Sequence, residues 1–124
     1  MLFRSQIKAL VERGAVIGSA FDAWMMVPDW VRGKTKPAGS GLKLDWIVAH
    51  MEHICQLAGN ARHVGIGSDL DGAFGTEQTP HDLNSIADLA RLAELLRNRG
   101  FAQEDVTAVM HGNFIRFLQA VLPG

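Results

Sequence analysis

One order of elements constrains the fold of this chain more than any single residue: a strand, a long helix and a second strand. Ala15-Val16-Ile17-Gly18-Ser19-Ala20-Phe21 is a short apolar run with β-branched members, the signature of a buried strand. His63-Val64-Gly65-Ile66-Gly67-Ser68 is a second such run. Between them Leu44, Ile47, Val48, Met51, Ile54, Cys55 and Ala58 recur at helical spacing, and Gly59-Asn60 ends that helix. Two strands joined through a helix lie parallel in one sheet. Downstream, Ile86, Leu89, Ala93 and Leu96 predict the stripe of another helix, with Asp88, Arg91, Glu94 and Arg97 on its wet side and Gly100 as its stop. Residues 102–110 and 113–122 read as two further helical pieces separated at His111-Gly112. Two strands cannot by themselves make a parallel sheet covered on both faces, so the α/β pattern is incomplete and calls for neighbours upstream.

The 124 residues suit one domain. A hydrophobic share of 48% with 20% charged residues excludes a disordered tail, and no apolar run approaches the ~20 residues of a spanning helix. Twelve basic against thirteen acidic residues leave a formal charge of −1, which draws the chain neither to nucleic acid nor to an anionic membrane. The single cysteine, Cys55, excludes an internal disulfide and a thiolate zinc cluster, and its place on the apolar helix face makes it a core residue. A cytoplasmic location is the expectation. The chain enters directly into a helix end, with no secretory signal. Leu2-Phe3-Arg4-Ser5 is what a common sequencing-adapter end spells when translated in frame, so residues 1–5 read as non-native, with the natural start upstream.

Residues 22–41 form a long connection that carries Trp24-Met25-Met26-Val27 and Trp30-Val31. Connections of that length are uncommon unless they are lids, binding loops or disorder, and two tryptophans argue against disorder. A pocket wall, a lid, a core plug and a subunit contact all remain open for this patch.

The chemistry concentrates in Gly65-Ile66-Gly67-Ser68-Asp69-Leu70-Asp71-Gly72. Alternation along a strand puts Val64 and Ile66 on one side and Gly65, Gly67 and Asp69 on the other. The bulky side suits covering helices; the stripped side suits a crowded interior or an approaching ligand. Asp69 then stands at the C-terminal end of the strand, where (β/α) barrels build their active sites, and is the catalytic candidate. Asp71, just before Gly72, reads as a loop cap. Asp22 also follows a strand directly and is a candidate for substrate binding. His50 and His53 are spaced i, i+3, not the i, i+4 of a helical zinc site, and read as packed or surface histidines. His63, His81 and His111 stand alone and read as structural. No residue is assigned as a metal ligand, and no serine sits in a nucleophile elbow.

Several stretches taken together resemble the membrane (renal) dipeptidase family. They are Asp45-Trp46-Ile47-Val48-Ala49-His50-Met51-Glu52-His53-Ile54, Leu57-Ala58-Gly59, the run from His63 through Asp69 to Gly72, an Asp82-Leu83 helix start, Arg99-Gly100, Glu104-Asp105-Val106 and His111-Gly112-Asn113-Phe114-Ile115-Arg116. The resemblance runs in order from about Gln6 to Leu122. It implies that residues 1–124 are a C-terminal fragment of one (β/α)₈ TIM-type barrel domain: its closing βαβα portion plus C-terminal helices. It implies a zinc-dependent hydrolase of dipeptides, with two zinc ions, and a homodimer is a further expectation. Asp69 matches the family's aspartate on the eighth strand, which takes part in proton transfer at the bridging water. The family's His-x-Asp, bridging glutamate, two later metal-binding histidines and substrate-binding arginine would all lie upstream of Met1. The fragment alone is therefore expected to be inactive. Asp22-Ala23-Trp24-Met25-Met26 departs from the family pattern. Two rivals remain: another amidohydrolase-like barrel enzyme such as a deacetylase or lactonase, and a non-catalytic barrel fragment that acts as an assembly module through the Trp-Met patch.

Overall fold

A computed structural model describes residues 3–124. The proposed non-native start therefore lies partly outside the described residues, at Met1 and Leu2; Arg4 and Ser5 already belong to helix α1 (Arg4–Glu12). Strand β1 (Ile17–Ala20) is followed by two single helical turns, α2 (Ala23–Met26) and α3 (Pro37–Ser40), and then by the long helix α4 (Leu44–Ala58). Strand β2 (Val64–Ser68) comes next, and α5 (Arg91–Asn98) lies beyond a long polar loop. The chain ends in α6 (Gln103–Thr107), a π-helical turn (Ala108–Gly112) and α7 (Asn113–Val121).

The expected crossover is present. β1 and β2 pair in parallel, with Ile17 opposite Val64, Gly18 opposite Gly65, Ser19 opposite Ile66 and Ala20 opposite Ser68. They form a two-stranded sheet. α4 connects them and stops at Gly59, whose φ of 77° is the left-handed conformation that glycine takes without a Cβ penalty. Ile47, Val48 and Met51 of α4 share one core cluster with Val64, with Leu92 and Leu96 of α5, with Val106 of α6 and with Val109 of the π turn. Each such side chain contributes roughly 1.5–3 kcal/mol on full burial, so this cluster holds the helices on the sheet.

Four readings need correction. The helix expected from Ile86 begins as a 3₁₀ segment (Ile86–Ala90) and becomes α-helical only at Arg91. Ile86 is exposed, because the buried stripe is centred on Leu92 and Leu96. Asp82 starts no helix: its Oδ1 accepts from the Leu44 N–H at 2.8 Å, so it caps α4 from 38 residues away. The break expected at His111-Gly112 is absent, since the residues on either side of the π turn remain in the right-handed helical region. The extra residue of the π turn keeps one helix running instead of splitting it.

The fourth correction concerns the alternation along β2. The pairing shifts between Ser19 and Ala20, so that Gly67 is an extra residue opposite that step. A Cβ on Gly67 would lie 2.8 Å from the Gly18 carbonyl carbon, which explains the glycine. A Cβ on Gly65 would lie 2.5 Å from the Phe114 ring. At Gly65 the stripped side of β2 is therefore filled by α7 rather than left for a ligand.

Candidate active site

Both strands end on the same side of the sheet, and the residues that follow them meet there. The Phe21 N–H donates to the Ser68 carbonyl at 2.8 Å, closing the ladder one residue before Asp22 and one before Asp69. Beyond that bond, β2 turns sharply. The Asp69 N–H reaches back to the Gly67 carbonyl at 2.8 Å, a γ-turn centred on Ser68. Ser68 has φ 58° and Asp69 φ 65°, two consecutive non-glycine residues in the left-handed region. Such turns are rare and strained, at about 1–3 kcal/mol per residue, and they cluster at functional sites. Asp69 is half-buried. Its carbonyl accepts the Gly72 N–H at 3.0 Å, and its Oδ1 lies 3.2 Å from where a Gly72 Cβ would stand.

Simple alternation thus does not aim Asp69, because the bulge at Gly67 and the turn at Ser68 intervene. The turn itself sets its direction. Asp71 is exposed and makes no hydrogen bond among the described residues, so the cap assigned to it belongs instead to the Asp69 carbonyl. Nearby, the Ser68 hydroxyl accepts from the Leu70 N–H at 3.2 Å.

Asp22 is 3% exposed and held through its Oδ1. Its Oδ1 accepts the Trp24 N–H at 2.9 Å, capping α2, and the Gln78 side-chain amide at 2.7 Å. Its Oδ2 lies 3.9 Å from Arg32. These bonds give Asp22 a structural task, which is to tie the connection after β1 to the loop after β2. Gln78 and Arg32 escaped the sequence reading, since no periodicity links a residue to a partner 56 positions away. In the same connection Trp30 is buried and Trp24 and Met25 are exposed, so the tryptophan patch is part core plug and part surface.

The remaining candidates lie apart from this end of the sheet in role. His50 and His53 are exposed on α4. His63 Nδ1 pairs with the Ala15 carbonyl at 2.9 Å, a structural contact. Cys55 packs against the core, and burial, reinforced by Asp105, pushes its thiol up to about 11, far from a nucleophile's range. Asn113 is fully buried and donates to the carbonyls of Ala61 and Val64 at 2.6 and 2.8 Å, while Arg116 donates to Asn113 Oδ1 at 2.9 Å and to the Arg62 carbonyl at 2.7 Å. This pair clamps the start of β2. Among the described residues no three His, Cys, Asp or Glu side chains converge on a point where a metal could sit.

A sequence model described as membrane dipeptidase (peptidase family M19) matches residues 4–122. A Klebsiella pneumoniae protein, described as an uncharacterised protein in the pqqA 5′ region, is 30% identical over 116 residues, covering 94% of this chain and 39% of that protein. An uncharacterised dipeptidase of Schizosaccharomyces pombe is 28% identical over 80 residues, 64% of this chain and 19% of the relative. A dipeptidase of Aspergillus oryzae is 33% identical over 72 residues, covering 58% of this chain and 16% of its own length. Among solved structures, a metallopeptidase named dipeptidase AC superposes with a TM-score of 0.75 at 21% identity, over 95% of this chain and 32% of its own. A Pseudomonas aeruginosa amidohydrolase gives 0.73 at 18% identity, over 94% of this chain and 39% of its own. The chain spans less than two-fifths of the length of each of these proteins.

Proposed function

Because this chain belongs to the membrane dipeptidase family, we propose that the protein carrying it hydrolyses dipeptides, and that this chain supplies the closing strands of a barrel together with one catalytic carboxylate, Asp69. The observation that carries the reading is the strained turn that presents Asp69 directly after a parallel strand. Catalytic groups of parallel α/β folds sit at that end of the strands, and stored backbone strain is found where a side chain must be held ready.

In this reading Asp69 accepts a proton from the attacking water as the oxygen bonds to the peptide carbonyl carbon. It then delivers that proton to the amine as the C–N bond breaks. Zinc is the cofactor that the family implies. The residues of this chain do not fit it, since no ligand cluster exists among those described. A zinc site in the whole protein would need ligands from outside residues 1–124.

The test is steady-state kinetics of the full-length protein on a dipeptide, with melting temperature measured alongside. Asp69→Asn is expected to keep the fold and lower kcat by about 10²- to 10⁴-fold, the usual contribution of a positioned acid–base group, with KM moving less. Asp71→Asn is expected to stay near the unaltered enzyme, because Asp71 makes no hydrogen bond among the described residues. Near-normal turnover in Asp69→Asn with loss in Asp71→Asn would invert the assignment.

A further inference from the structure

The turn after β2 keeps its glycine where the backbone does not ask for one. Ser68, Asp69 and Ala73 have φ of 58°, 65° and 63°, the left-handed region that glycine enters most cheaply, yet all three carry side chains. Gly72 stands among them outside that region, so its φ suits an ordinary residue.

Its neighbours are what keep Gly72 bare. A Cβ there would lie 2.9 Å from the Asp69 carbonyl oxygen, 2.9 Å from the edge of the Phe74 ring and 3.2 Å from Asp69 Oδ1. Non-bonded carbons settle at about 3.5–4.0 Å from one another, so a methyl group would crowd all three atoms. Two of the three belong to Asp69, and one of those is a carboxylate oxygen. The backbone around Asp69 is tied on both sides. Its carbonyl accepts the Gly72 N–H at 3.0 Å, its own N–H reaches the Gly67 carbonyl at 2.8 Å, and the Ser68 hydroxyl accepts the Leu70 N–H at 3.2 Å. Crowding at Gly72 is therefore relieved most cheaply by the two side chains, the Asp69 carboxylate and the Phe74 ring. Phe74 is half-buried, and its ring edge reaches the same spot. A methyl group on Gly72 pushes the carboxylate aside; a smaller side chain at Phe74 leaves it room to swing.

We propose that Gly72 and Phe74 are positioning residues that hold the Asp69 carboxylate in its working direction. Both act through Asp69 and neither touches the reacting atoms. The proposal rests on the reading of Asp69 as the proton carrier and deepens it. A misplacement of about 1 Å in a reacting group can cost on the order of 100-fold in rate.

The experiment is a double-mutant cycle in the full-length protein, read as kcat and KM on Ala-Ala with the melting temperature measured alongside. Gly72→Ala and Phe74→Leu are each made with Asp69 present and in the Asp69→Asn background. With Asp69 present, each is expected to lower kcat by about 10- to 100-fold while KM stays within about twofold. In Asp69→Asn, where no proton carrier remains to be misplaced, each is expected to change kcat by less than about threefold. A fall by the same factor in both backgrounds would overturn the proposal, since a plain turn preference for glycine or a general loss of folded protein acts whichever residue stands at 69. So would unchanged kcat in both variants, or a loss carried by KM. Any of these, with Asp69→Asn itself strongly impaired, leaves the role of Asp69 standing and removes only its positioning. Near-normal turnover in Asp69→Asn removes both. If the melting temperature shows that Gly72→Ala does not fold, Phe74→Leu decides the question, because it opens space and introduces no clash.

Discussion

At the residue scale, the glycines of this fold answer to specific neighbours. Gly18 and Gly67 face each other across the bulge, and a Cβ on Gly18 would lie 2.9 Å from the Gly67 Cα. The obstacle is backbone, which cannot swing aside as a side chain could. Gly67→Ala is therefore expected to cost about 1–3 kcal/mol, the range of an overpacked core. Equilibrium urea unfolding of the full-length protein would read this as a lower midpoint at an unchanged slope. Gly65 is a milder case, since its obstacle is the Phe114 ring. Alternation alone marked Gly65 and Gly67 as a stripped face but could not say what the face touches. Phe114 is 49 positions from Gly65 in the chain, and only packing brings them together.

At the scale of elements, an arginine at the C-terminal end of α5 makes the polar contact with α4 among the described residues. Arg99 donates to both carboxylate oxygens of Asp45, at 3.1 and 2.7 Å, and to Glu52 at 2.7 Å. These bonds hold the Asp45 carboxyl below its ordinary value, the Arg99 hydrogen bonds being the main cause. A carboxyl lowered on folding adds stability above its unfolded pKa, near 3.9, and loses it as pH falls through the folded value. Asp45 is half-exposed, so solvent screens the pair and the gain is small. The expected result is a melting temperature that declines below about pH 4 more steeply in the unaltered protein than in Arg99→Gln. Identical acid limbs in the two proteins would remove Arg99 from this role. The same scale explains the misread end of the chain. His111-Gly112 carries a break signal, yet the π turn absorbs it, because Asn113 is drawn inward to the carbonyls of Ala61 and Val64.

At the scale of the whole molecule, the described residues leave large apolar side chains in water. Ile115, Leu118, Val121 and Leu122 form an exposed stretch of α7 and the residue after it, and Trp24 and Met25 are exposed beside the strand ends. Among the described residues the two-stranded parallel sheet has no further strand on either edge. Uncovered strand edges and contiguous apolar surface favour association. The 124-residue chain on its own is expected to self-associate in size-exclusion chromatography with light scattering. A monodisperse monomer with a sharp melt independent of concentration would show that these surfaces need no cover.

The sequence by itself determined the strand–helix–strand order, the parallel crossover, the span of α4 and its stop at Gly59, because these follow from local periodicity and from backbone freedom at one residue. It also led to Asp69 as the carboxylate to examine, and to the family. Tertiary structure alone decided how Asp69 is presented, since a bulge and a γ-turn reset the alternation that would otherwise aim it. It likewise tied Asp22 to the Trp24 N–H and the Gln78 amide, moved Asp82 from its own helix to the start of α4, and set Arg32 onto Trp24. Each of those outcomes depends on a hydrogen bond, ion pair or stacking contact that forms only once the chain has folded, and nothing in local spacing encodes such a meeting.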